Sequence, residues 1–105
     1  MKEPKSYEEI AEYIKAPGKH MFYFSATWCG DCKFIEPKLP EIEAENSEFE
    51  FIHVDRDEYM DLAVEWGIMG IPSFVAIEDG KEIGRLVNKL RKTKEEVNAF
   101  ISTVK

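Results

Sequence analysis

The sequence predicts an α/β fold, a mixed sheet of about four strands flanked by four helices. Three observations carry this. Two short apolar runs, His20 to Ala26 and Phe49 to Val54, are separated by a segment of helical spacing, which makes a βαβ unit with parallel strands. Two further strand-like runs, Ser73 to Ile77 and Lys81 to Val87, flank Glu78-Asp79-Gly80, where the Asp-Gly pair marks an antiparallel hairpin. Ser6 with Glu9, and Thr93 with Glu96, have the spacing of capping boxes that open the first and last helices.

Each element has its own signal. Tyr7, Ile10, Ala11 and Ile14 recur at helical spacing after Ser6, and Pro17-Gly18 should end that helix. His20 to Ala26 (HMFYFSA) is short, apolar and aromatic, as a buried strand is. From Cys29 the spacing turns helical through Cys32, Phe34 or Ile35, Leu39 and Ile42. Pro37 and Pro40 lie inside that pattern and predict a kink, because each removes a backbone donor. The acidic residues Glu41, Glu43, Glu45, Glu48 and Glu50 match no calcium loop and read as a solvated face. Tyr59 to Trp66 is a short helix closed by Gly67. Val97, Phe100, Ile101 and Val104 give the last helix its apolar face.

Composition narrows the function. The 105 residues suit one domain, residues 1–105. Hydrophobic content of 44% suffices for a core without cross-links, so the two cysteines need not be staples. The net charge of −7 argues against nucleic-acid and anionic-membrane partners, which need basic patches. MKEPKSYEEIAEYIK has no apolar core of the signal-peptide kind. No run approaches the ~20 apolar residues that span a bilayer. The expected setting is cytoplasmic, where a lone cysteine pair is more often catalytic or metal-binding than structural.

The only cysteines, Cys29 and Cys32, stand where the first strand gives way to a helix. They could be a redox pair, half of a metal site, or two small buried residues. Placement favours the first. The opening backbone N–H groups of a helix lack internal partners and carry the positive end of its dipole, so a thiolate at Cys29 is stabilised there. Cys32 lies one turn further along the same face, within reach of Cys29. The spacing predicts an exposed nucleophile and a shielded resolving thiol.

WCGDCK (Trp28 to Lys33) resembles the active-site signature of the thioredoxin family, in which Trp-Cys-Gly-Pro-Cys-Lys is usual. Pro37 matches the proline that kinks the family's active-site helix. WGIMGIPSF (Trp66 to Phe74) is similar to the segment leading into its cis-proline, which puts Pro72 at that position. EDGKEIGRL (Glu78 to Leu86) is similar to its final hairpin, with Gly84 at the glycine of the substrate groove. The resemblance covers residues 20 to 104 and implies the thioredoxin fold and a disulfide reductase. Cys29 would attack a protein disulfide and Cys32 would resolve the mixed disulfide. Ile71, beside Pro72, would pair with an extended substrate segment. Trp28, Gly30 and Met69 would complete the substrate surface, Met69 through its flexible thioether. The implied partners are disulfide-containing proteins and a reductase such as thioredoxin reductase, the protein being a monomer without a cofactor.

Three departures from the family pattern stand out. Asp31 replaces the usual proline. Its carboxylate disfavours a thiolate at Cys29, while the backbone donor freed by losing proline favours one. It reads either as a redox-tuning residue or as an acidic residue favoured in a first helical turn. The buried aspartate and lysine that usually relay a proton to the resolving cysteine map to Tyr23 and Phe51, so both charges are missing together. Water, Asp31 or the Tyr23 hydroxyl would take the proton. MKEPK is too short and too charged for the family's first strand, which should be short or absent.

Two other classes compete. A zinc module would need four Cys or His ligands, but His20 and His53 lie on different strands with no finger spacing, so no metal is expected. A non-catalytic binding module of the same fold would not require both cysteines together with Trp28 and Pro72. Within the redox class, the missing relay and Asp31 suit a dedicated partner as well as a general reductase.

Overall fold

The computed structural model describes residues 1–105. The chain runs α1 (Tyr7–Lys15), β1 (Lys19–Ser25), α2 (Gly30–Ile35), a 3-10 turn (Glu36–Lys38), α3 (Leu39–Glu45), β2 (Phe49–Asp55), α4 (Met60–Glu65), β3 (Ser73–Glu78), β4 (Lys81–Leu86) and α5 (Lys94–Ser102). The four strands form one sheet in the order β2-β1-β3-β4. β1 and β2 are parallel, with Tyr23 opposite His53, and β1–β3 and β3–β4 are antiparallel.

β1 is buried on both faces, which explains its unbroken apolar run. Phe22 and Phe24 point to the side covered by α1 and α4, among Ile10, Ile52, Val54, Leu62 and Val75. Met21 and Tyr23 point the other way, among Ile35, Ile42, Phe74, Val97 and Ile101. Trp66 packs edge-on against Phe22 and Phe24, with centroids 5.4 and 5.7 Å away.

The local signals act as the sequence implies, with two refinements. Asp79 (φ 50°) and Gly80 (φ 83°) both occupy the left-handed region, as a two-residue hairpin turn of primed type requires. Thr93 and Glu96 form a complete capping box. Ser6 accepts from the Glu9 amide, but the Glu9 carboxylate accepts from the Lys5 amide instead of returning to Ser6, so that box is only half made. The expected kink is a full interruption. Pro37 sits in the 3-10 turn and Pro40 in the first turn of α3, so the segment from Cys29 is two short helices. The first strand of the family survives as one parallel bridge, Lys2 to Ile52.

Gly84 faces α5, not a groove. A Cβ there would lie 2.6 Å from Val104 Cγ1 and 3.5 Å from Phe100. The missing side chain is what lets α5 close on β4. Gly84→Ala should therefore cost about 1–3 kcal/mol by overpacking, read as a fall in denaturation midpoint. Adding Val104→Ala should recover part of it, and an unchanged midpoint in the single variant would refute this packing.

Candidate active site

Cys29 is the residue capping the start of α2, and its Sγ accepts a hydrogen bond of 3.1 Å from the Cys32 amide. The two cysteines are joined as a disulfide, with Cα atoms 5.2 Å apart. Cys32 is fully buried and Cys29 is 5% exposed. The order of burial is the expected one, but Cys29 is no freely exposed nucleophile. It shows only an edge, and the Ile71 carbonyl oxygen lies 3.8 Å from its Sγ on the facing wall. The amide that meets the sulfur belongs to Cys32, so it is available whichever residue stands at position 31.

A surface cavity of about 440 Å³ opens on Cys29. Trp28, Gly30, Asp31, Met69 and Ile71 line it, bringing together residues some forty positions apart in sequence. The bond between Ile71 and Pro72 is cis, and Pro72 is buried behind the wall. Trp28 and Met69 stand out from the surface, 60% and 72% exposed, as apolar banks of the opening. Gly84 is absent from the lining.

Several contributors carry no motif. Trp28 is pinned in place: its Nε1 donates to Asp57 at 2.7 Å and the Arg56 guanidinium lies 5.1 Å over its ring. The indole hydrogen bond, with help from Arg56, holds the Asp57 carboxyl below its ordinary range. Gly70 is a close-approach position, since a Cβ would overlap the Asn88 carbonyl and come within 2.7 Å of Lys89 Cα. Arg91 reaches Asp31, Nε to Oδ1 at 3.1 Å. All of these partners lie in other segments, and the sequence shows their residue types without showing that they meet.

The family model for thioredoxin matches residues 2–103. The chain belongs to the thioredoxin family. It is 41% identical over 81 residues to thioredoxin H2-2 of Oryza sativa subsp. japonica, covering 76% of this chain and 60% of that protein. It is 44% identical over 64 residues to thioredoxin H-type 1 of Nicotiana tabacum, covering 61% of this chain and 51% of that protein. The chain thus spans little more than half the length of these relatives. Among solved structures it is similar to Fasciola hepatica thioredoxin, with a TM-score of 0.85, 28% identity and complete coverage of both chains. No helix is long and apolar enough to cross a membrane.

The positions to which the resemblance maps the proton relay hold aromatics. Tyr23 and Phe51 are both buried, and Tyr23 lies against His53 and Phe74, with centroids 5.4 and 5.1 Å away. Burial, then the nearby Glu36 carboxylate, push the Tyr23 phenol well above its ordinary range, so it stays protonated. The two histidines are engaged elsewhere. His53 bonds Ser25 and Glu3, and His20 lies 3.6 Å from Glu50. No three His, Cys, Asp or Glu side chains gather as a ligand set.

The buried Tyr23 hydroxyl makes no hydrogen bond of good geometry; the Ser25 side chain, which opposes its upward shift, is bonded to His53 instead. Such a group costs about 1–3 kcal/mol of desolvation. Tyr23→Phe keeps the ring stack and removes that cost, so it should stabilise the fold by about 1 kcal/mol. Urea denaturation decides this, and a destabilised variant would mean that the hydroxyl is bonded after all.

Proposed function

We propose that this protein is a thiol–disulfide oxidoreductase that reduces protein disulfides by cycling between a Cys29/Cys32 dithiol and the corresponding disulfide. One observation carries the reading: the disulfide sits at the start of α2 with only Cys29 reaching the cavity. A pair meant only to brace the fold gains nothing from an opening edged by exposed Trp28 and Met69.

The chemistry follows from the geometry. In the reduced protein the Cys32 amide points at Cys29 Sγ and favours its thiolate. That thiolate attacks one sulfur of a target disulfide, and the other target sulfur leaves as a thiolate. Cys32 then gives up its proton to water, to Asp31 or to the departing target thiolate, because neither Tyr23 nor Phe51 can accept one. Its sulfur attacks Cys29, expelling the second target thiolate and closing the Cys29–Cys32 bond. The target gains two electrons and, after protonation, two protons. A flavoprotein reductase of the thioredoxin-reductase kind returns the electrons. The cycle runs in a monomer in the cytoplasm.

The cavity suits an extended peptide. The Ile71 backbone beside Cys29 offers a short edge for strand-like pairing, and Trp28, Met69 and Gly30 leave room for varied side chains. Asp31 is the tuning residue: its charge sits in the first turn of α2, and its effect on the thiolate depends on how far that charge is compensated. A narrower role, serving one dedicated partner, draws support from the uncharged pair Tyr23 and Phe51, which removes an internal proton acceptor.

An insulin-reduction assay with dithiothreitol tests the cycle. Wild type should accelerate precipitation, and Cys29→Ser should abolish the effect. Cys32→Ser should lose turnover yet accumulate a mixed disulfide through Cys29. Full activity in Cys29→Ser would overturn the proposal.

A further inference from the structure

We infer that Arg91 is a positioning residue of the redox site, holding the Asp31 carboxylate as a neutral pair so that its charge does not oppose a thiolate at Cys29. The inference rests on the oxidoreductase reading and deepens it.

Two contacts fix the guanidinium on α2. Its Nε meets Asp31 Oδ1 at 3.1 Å, and its carbon lies 4.5 Å from the centre of the Phe34 ring. Asp31 and Phe34 are three residues apart, so Arg91 lies along one face of the helix that begins at Cys29. The charge that the motif introduces where thioredoxins usually carry proline thus meets its counter-charge sixty residues later.

The loop that carries Arg91 is braced at both ends. The Lys92 ammonium is buried and donates to the carbonyls of Leu90 (2.7 Å) and Asn88 (3.4 Å) and to Asn88 Oδ1 (2.9 Å). Asn88 Oδ1 also accepts from the Leu90 amide at 2.9 Å. The Asn88 carbonyl rests against Gly70, in the wall opposite Cys29. On the other side Thr93 starts α5 with its complete capping box. Arg91 is exposed, but it projects from a backbone tied on both sides, which reduces the entropy lost in pairing. Of the charged groups near Asp31, Lys89 and Arg56 line the cavity with it, Arg91 bonds it from outside the lining, and the buried Lys92 feels its charge, while Asp57 is held by Trp28 and Arg56.

The pH dependence of iodoacetamide alkylation at Cys29 in the reduced protein reads this arrangement directly. Arg91→Gln leaves the carboxylate uncompensated, so alkylation below the thiol midpoint should slow about two- to fivefold, the scale of one exposed charge pair. Arg91→Lys, which retains the charge, should restore at least half of the loss. In an Asp31→Asn background the Arg91→Gln change should have less than half its effect, because no carboxylate is then left for Arg91 to neutralise. An unchanged profile in Arg91→Gln, no rescue by lysine, or an equal effect of Arg91→Gln with and without the Asp31→Asn change would overturn the inference. Insulin reduction by the wild type separates the two readings: its failure would remove the reductase, while the alkylation profile would still report on Arg91.

Discussion

The site depends on a strand that has no free face. β1 is covered by helices on both sides and bonded to β2 and β3 along both edges. Such a strand cannot shift register by one residue without turning Phe22 and Phe24 into the place of Met21 and Tyr23. Its end at Ser25 is therefore fixed, and with it the point where the chain leaves the sheet and enters α2. Cys29 stands at that exit. The opposite wall is fixed by the same strand, because β3 pairs antiparallel with β1 through Ser73 and Phe24, which brings Ile71 and Pro72 to the same end of the sheet. One buried strand thus sets both sides of the cavity.

The parts legible in the sequence are those whose cause is local. Asp79-Gly80 forms its turn from its own backbone preferences, and Thr93 with Glu96 caps its own helix. Cys29 and Cys32 are brought together by one turn of α2. What the sequence conceals depends on distant neighbours. Ser6 and Glu9 have box spacing, yet the Lys5 amide lies better placed for the Glu9 carboxylate. Gly84 and Gly70 are both sites where a side chain would collide, but only the fold says that one collides with α5 and the other with the loop at Asn88. A groove glycine assigned by resemblance alone falls on the wrong one of these two close approaches. The near-complete burial of Cys29 is likewise invisible, since its surroundings include Ile71, forty-two residues away.

Charge follows the same division. The net charge of −7 describes the surface as a whole and says little about the cavity. There, Asp57 is drawn into the Trp28 and Arg56 cluster and Asp31 into contact with Arg91. Exposed pairs of this kind contribute little to stability. Their effect is on position: one holds an indole upright at the rim, the other holds a carboxylate beside the first turn of α2.

The uncharged interior under the site is the remaining departure, and it has an internal logic. A buried aspartate without its lysine, or the reverse, would leave an unpaired charge costing several kcal/mol. Replacing both by aromatics avoids that, and the stack of Tyr23 between His53 and Phe74 fills the volume. Polar satisfaction has moved outward along the same face. Glu3 accepts from His53 Nδ1 at 2.8 Å, and Nε2 is hydrogen-bonded to the Ser25 hydroxyl at 2.6 Å. That chain of bonds ties the Lys2 bridge segment to β2 and runs beside the Tyr23 ring without including its hydroxyl. In the proposed cycle neither aromatic can take the Cys32 proton, which passes to water, to Asp31 or to the departing target thiolate. The same replacement that relieves the core of a buried charge pair would then make the resolving step more dependent on its target than a built-in acceptor would.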